Sequence, residues 1–315
     1  MNPQWFCLWI VCVWPACAIM GQEQAATPVA ELHRLAPQTA KDLQTLLSPS
    51  NTRPPMVSAH RGGSGPGLPE NCLATFEATL RTTYAMLEID PRLTQDGVVV
   101  VHHDDSLERT TTGQGLVAEH TWDQLQTLRL KDSLGQVTEH TMPTLEQAIE
   151  WARGRTILVL DQKDTPLETR VEMVTQHGAE SFVVLIVGKI ADMQTCHRLN
   201  PDIMMEVFIG DRAKFEQFDQ AGVPWRNIVA FVGHTPPQDP ELMQMIHAKG
   251  ALCIAGTSRN IDRQYIEHPE QGITRLKPEY QQLLHIGVDI IETDIPRQVG
   301  PLLDNVPLSR FAPRN

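Results

Sequence analysis

Beyond residue 17 the chain has three cysteines, Cys72, Cys196 and Cys253, an odd number set far apart. That excludes a disulfide framework and a cysteine metal site of short spacing, so the fold must be held by its core. Positive charge is also scarce. Lys and Arg number 26 against 38 Asp and Glu, a formal net charge of −12. A field of that sign repels nucleic-acid backbones, and no nucleic acid is expected as a partner. An anionic substrate would instead need local cations, from side chains or a bound metal. No Gly-x-Ser-x-Gly elbow and no Walker loop occurs, so covalent serine catalysis and a phosphate-cradling P-loop find no support.

Long apolar runs are missing too, save one. The first 20 residues carry no charged side chain, are interrupted by Pro15 and end at Gly21-Gln22-Glu23. We read residues 1–21 as a signal peptide, which implies a secreted or periplasmic protein with no stable membrane span after processing. Pro15-Ala16-Cys17 leaves a lipid or membrane anchor as the alternative. Residues 22–55, rich in Ala, Pro, Gln, Thr and Ser, read as a linker or N-terminal extension with one weak helix near Pro37 to Leu47. Pro54-Pro55 marks its boundary.

From residue 56 to 315 the pattern changes. Eight short apolar runs, Met56–Ala59, Ala85–Ile89, Thr156–Leu160, Ser181–Val187, Ile203–Ile209, Asn227–Val232, Ala251–Ala255 and Val288–Glu292, alternate with helical segments. Most are continuous, as in parallel strands buried on both faces. Eight β-α units over about 250 residues predict an α/β fold, a (β/α)8 TIM barrel. A small insertion over about 98–143 breaks the rhythm after the second strand.

The chemistry gathers at strand ends. Glu88 and Asp90 share a face at the end of the second run. Asp96-Gly97 predicts a two-residue hairpin in which Leu93 faces Val100 and Asp90 faces His103, with His102 turned away. Two hard carboxylates suit one divalent cation, Ca²⁺ or Mg²⁺, better than zinc. His60-Arg61-Gly62 ends the first strand and offers a proton-transfer group beside a fork that fits phosphate oxygens. Asp161 and Lys163 end the third, a further metal carboxylate and a second cation. Glu206, a charge inside an apolar run, is expected to point into the barrel mouth without a direct catalytic role. Asp289 and Asp294 read as a rim carboxylate and a helix cap. His234 and the other remaining histidines have no constellation around them.

These residues resemble the glycerophosphodiester phosphodiesterase family. The matching motifs are His-Arg-Gly at 60–62, Pro-Glu-Asn at 69–71, Glu-Ile-Asp at 88–90, Thr-Gln-Asp-Gly at 94–97 and His-Asp-Asp-Ser-Leu-Glu-Arg-Thr-Thr at 103–111. The resemblance spans about Met56 to Pro301. It implies His60 and His103 as an acid–base pair, Glu88 and Asp90 as metal ligands, and Arg61 and Lys163 as phosphate contacts, with Glu70 supporting the substrate site. Two departures stand out: Asp161 where the family usually has Glu, and no aromatic residue in the Cys253–Asn260 stretch where the family often has Trp-Thr.

The implied activity is metal-dependent hydrolysis of a glycerophosphodiester to glycerol 3-phosphate and an alcohol. The nearer alternative is a lysophospholipase D or sphingomyelinase D-like enzyme acting on a lysolipid. The alternative of another class is a non-catalytic barrel that binds at a surface, which would not require both histidines and the Glu-x-Asp pair.

Overall fold

The computed structural model describes Met1 and residues 31–49 and 56–303; the leader reading, and part of the 22–55 segment, lie outside these. Eight parallel strands close into a barrel, in the order β1 (Val57–Ala59), β10 (Ile290–Thr293), β9 (Leu252–Gly256), β8 (Ile228–Gly233), β7 (Met204–Phe208), β6 (Val183–Val187), β5 (Leu158–Leu160) and β2 (Ala85–Ile89). Each of the eight predicted runs supplies one of these strands. Their residues are almost all buried because helices cover the outside while side chains fill the inside.

The helical segments expected between the runs form as α2 (Leu73–Leu80), α4 (Leu145–Ala152), α5 (Leu167–Gln176), α6 (Ile190–Leu199), α7 (Arg212–Asp219), α8 (Pro240–Ala248) and α10 (Lys277–His285). Two more were not legible: α9 (Ile261–Glu267) and α11 (Pro296–Leu303). The first is short and mostly polar, and the second carries Pro301 inside it.

Residues 31–49 lie against the N-terminal end of the barrel. Thr39 caps α1 (Ala40–Leu46) with a reciprocal capping box through Asp42. Leu35, Leu43 and Leu47 are buried in one cluster with Met56, Ile157, Met204 and Leu252. The Leu35 and His33 amides donate to the carbonyls of Arg155 and Leu80. This segment closes the barrel floor, which leaves the C-terminal ends of the strands as the open end.

After β2 the chain makes a hairpin, β3 (Pro91–Leu93) and β4 (Val99–Val101), with α3 (Trp122–Leu125) beyond it. The insertion has its own small core of Val100, Leu107, Val117, Leu125, Leu130 and Met142. Here the structure corrects the expected register. The turn is a three-residue loop, Gln95–Gly97, not a two-residue one. Gly97 sits at φ +81° and donates to the Thr94 carbonyl, while the Thr94 amide donates to Val98. Asp96 anchors it, accepting from the Thr94 hydroxyl at 2.6 Å and the Trp122 amide at 3.0 Å. The extra loop residue slides the ladder by one: Arg92 faces Val100, Leu93 faces Val99, and the His102 amide donates to the Asp90 carbonyl.

Candidate active site

His103 nevertheless reaches the site, by a route the hairpin argument did not contain. The ladder stops at Val101 and the chain turns. His102 is buried and its Nε2 meets the Ser106 carbonyl at 3.0 Å. Burial holds its pKa below the ordinary value, so it stays neutral and structural. Arg92 donates twice to the His103 carbonyl, at 2.9 and 2.7 Å, and fixes the turn that presents His103 to the cavity. His103, and not His102, lines the cavity, but the hairpin parity is not the reason.

That cavity, about 400 Å³, opens at the C-terminal ends of the strands. His60, Arg61, Glu88, His103, Asp161 and Lys163 line it, so six of the eight anticipated residues converge there. Asp90 and Glu70 stand just behind. Asp90 is fully buried, with Lys163 Nζ at 3.1 Å from its Oδ1.

Glu88, Asp90 and Asp161 bring carboxylate oxygens within 4.8 Å of one another. Burial, then the neighbouring Asp90 charge, pushes Glu88 well above the usual carboxylate range. Burial acts upward on Asp161 too, but Lys163, at 2.5 Å, outweighs it and holds this carboxyl below its ordinary value. Three facing hard-oxygen donors could hold a divalent cation, and such an ion would relieve the repulsion that strains Glu88.

Backbone strain positions Arg61 at the cavity. Arg61 adopts φ +53°, a left-handed conformation uncommon outside glycine. In it the Arg61 amide donates to Glu88 Oε2 at 2.8 Å and the guanidinium reaches Glu70 at 3.2 Å. Glu70 also takes both Arg109 amino groups, at 3.0 and 2.7 Å, so it orients cations more than it faces substrate. The cations outweigh the burial cost and hold its pKa low.

Each histidine is held by its own carboxylate. His60 Nδ1 lies 2.6 Å from Asp294 Oδ1, and His103 Nδ1 lies 2.6 Å from Asp104 Oδ1. For His60, burial alone would lower the pKa; Asp294, Glu88 and Glu292 overcome it and raise it to about 10. For His103 burial prevails, aided by Arg61 and Lys163, and the pKa falls below its ordinary value.

Sequence reasoning missed several members. Asp294, read as a helix cap, is the His60 partner, and buried Asp262 steadies it by accepting from its amide at 2.8 Å. Asn71 donates to Asp90 Oδ2 at 2.6 Å and accepts from the Asp90 amide at 3.2 Å. The Pro-Glu-Asn motif was the available signal for Asn71. His234, dismissed with the other histidines, lines the cavity; it had no local signal, and the barrel alone brings it in. Glu206, the charge inside an apolar run, points into the barrel mouth as expected.

A second candidate cluster, His247, Cys253 and Asp289, lies at the N-terminal end of the strands. Asp289 Oδ2 already binds His247 Nε2 at 2.7 Å and the Cys253 amide at 2.8 Å, and burial pushes the Cys253 thiol far up. With the Asp289 carboxylate already engaged by His247 and the Cys253 amide, we read this cluster as structural.

The sequence profile of the glycerophosphoryl diester phosphodiesterase family matches residues 60–298. A Bacillus subtilis glycerophosphodiester phosphodiesterase is 35% identical over 274 residues, covering 80% of this chain and 91% of its own length. The crystal structure of a glycerophosphoryl diester phosphodiesterase from Parabacteroides distasonis is 39% identical with a TM-score of 0.83, over 89% of this chain and 97% of that one. An Oleispira antarctica phosphodiesterase, solved in complex with the product sn-glycerol-3-phosphate, shares the fold at 24% identity and a TM-score of 0.63, over 80% of this chain and 98% of that one.

Proposed function

This chain belongs to the glycerophosphoryl diester phosphodiesterase family, and from that premise we propose that it hydrolyses glycerophosphodiesters to glycerol 3-phosphate and an alcohol. It is an enzyme of the phosphoric diester hydrolase class. One observation carries the substrate reading. Two histidines, each tied through Nδ1 to its own carboxylate, share one cavity with a three-carboxylate group and two cations.

Glu88, Asp90 and Asp161 would hold one divalent cation, Ca²⁺ or Mg²⁺. When bound, it supplies charge neutralisation at the phosphodiester and makes a nearby hydroxyl more acidic. The remaining work falls to the side chains. Arg61 and Lys163 grip the phosphoryl oxygens and stabilise charge as it grows there. His103, kept neutral near pH 7, accepts the proton of the attacking hydroxyl, which belongs to water or to the substrate's own glycerol. His60, kept protonated by Asp294, gives a proton to the departing alkoxide. The opposed shifts of the two rings support this division of labour.

Among the described residues no helix is long and apolar enough to cross a membrane. The apolar run at residues 1–20 supports a site of action outside the cytoplasm.

The test is phosphorus NMR of glycerophosphocholine incubated with the purified protein and Ca²⁺ or Mg²⁺. Glycerol 3-phosphate is the expected product. Phosphocholine would overturn the bond assignment, and no cleavage of any phosphodiester would overturn the function.

A further inference from the structure

Two carboxyl groups in the barrel mouth have no assigned contact with the substrate; Glu292 acts above only through its charge on His60. Glu206, on β7, is 3% exposed, and its Oε2 has no hydrogen-bond partner among the described residues. Glu292, on β10, is 5% exposed and makes no side-chain hydrogen bond there. Both line the cavity that holds His60 and His103. Burial lifts both carboxyls above the usual range, and Glu292 and Asp161 lift Glu206 further. A buried acceptor with no donor is costly, and among the described residues no donor turns toward Glu206 Oε2. The donor must come from what enters the cavity.

The wall beside these groups is built around a missing side chain. A Cβ on Gly256 would sit 2.6 Å from His234 Nδ1, 3.2 Å from the Phe231 ring and 3.4 Å from Glu292 Oε1. Glycine at this position lets the three groups close over β9. Phe231 and His234 pack edge to face with centroids 4.8 Å apart, and His234 Nδ1 is a second buried polar atom without a partner among the described residues. Ile186 and Phe208 extend the apolar surface.

Hydrogen-bonding atoms set among carbon faces match a polyol, whose hydroxyls alternate with C–H surface. A second cation fits less well. Among the described residues, Glu88, Asp90 and Asp161 are the group in this cavity whose oxygens converge tightly enough for an ion, and neither Glu206 nor Glu292 belongs to it.

We propose that Glu206, with Glu292 and His234 beside it, is the hydroxyl-recognising subsite of this enzyme, selecting a glycerol-like polyol ester while Arg61 and Lys163 hold its phosphate. The proposal rests on the phosphodiesterase reading and deepens it. A site that hydrogen-bonds a substrate hydroxyl discriminates against the analogue lacking it, because its own buried groups are then left unpaired.

The test compares glycerophosphocholine with 2-hydroxypropyl phosphocholine, which lacks the terminal hydroxyl but keeps the one beside the phosphate. Either nucleophile can therefore still act on both compounds. Wild type should favour the glycerol ester at least about tenfold in kcat/KM. Glu206→Leu should bring that ratio close to one, mainly by raising KM for the glycerol ester. Glu206→Gln, which keeps a hydrogen-bonding oxygen, should restore part of it. Thermal unfolding of both variants checks that they fold.

A ratio unchanged in Glu206→Leu would overturn the proposal, whether or not both rates fell together. So would a wild type that does not distinguish the two diesters. Calorimetry showing two divalent ions in wild type and one in Glu206→Gln would make Glu206 a cation ligand and also overturn it. A wild type inert on both compounds removes the phosphodiesterase reading itself, and this subsite with it.

Discussion

Asp294 Oδ1 lies 2.6 Å from His60 Nδ1, which commits that nitrogen to a carboxylate and leaves Nε2 as the ring's free proton-transfer atom. The same contact, with Glu88 and Glu292 nearby, raises the pKa of His60 to about 10. His103 is shifted the other way, chiefly by burial.

A pH profile follows from that opposition. If His103 must be neutral and His60 protonated, kcat/KM rises as pH climbs through the lowered His103 pKa. It falls as pH climbs through the raised His60 pKa. Asp294→Asn removes the anion that favours the imidazolium. The falling limb should therefore move to lower pH, toward the ordinary imidazole range, while the rising limb stays in place. Initial rates between pH 5 and pH 10.5 check both limbs. Movement of the rising limb instead would exchange the two roles.

Asn71 holds Asp90 from both ends of its amide, at 2.6 and 3.2 Å. Asn71→Ala should free Asp90 to rotate and weaken divalent-cation affinity about 10- to 100-fold, as loss of an orienting partner typically does. Isothermal titration with Ca²⁺ or Mg²⁺ measures this without turnover. Affinity equal to wild type would remove Asp90 from the ligand set.

Cation binding should also appear as stability. A ligand present at 100 times its Kd stabilises the folded state by about 2.7 kcal/mol, raising Tm. Wild type should show this rise on adding Ca²⁺ or Mg²⁺ and lose it with EDTA. Glu88→Gln should start from a higher Tm than metal-free wild type, because Glu88 is buried among carboxylates, and should gain little from the ion. A full metal-dependent rise in that variant counts against the site.

At the other end of the barrel, Leu43 is fully buried under the strand N-termini. Leu43→Ala should cost about 2–5 kcal/mol by transfer and cavity terms. Chemical denaturation measures the loss, and KM should hardly change because the active end lies across the barrel. A loss below about 1 kcal/mol would mean α1 sits loosely on the floor.

The barrel was legible because its signal is distributed. Val183–Val187 and Ile228–Gly233 read as buried strands by apolar continuity alone, and no single residue decides the count. The hairpin register hung on one residue and went wrong: Asp96-Gly97 signals a turn without fixing how many residues it contains. Gln95 joined the loop because Asp96 is tied to Thr94 and Trp122, a contact 26 residues away that local pattern cannot contain. Glu88, Asp90, His60 and Lys163 carried motif signals, and the structure gathers them at or just behind one cavity. Glu206 was legible as a charge inside an apolar run, whereas His234 reaches the cavity through strand order and through the space left at Gly256, and those are properties of the closed barrel.

The most direct test of the account is hydrolysis of glycerophosphocholine by wild type, His60→Ala and His103→Ala, each shown to be folded, with and without EDTA. The account predicts glycerol 3-phosphate from wild type with a divalent ion and none after chelation. It predicts rates about 10²- to 10⁴-fold lower in each histidine variant. A folded His60→Ala or His103→Ala variant that turns over at the wild-type rate would contradict it.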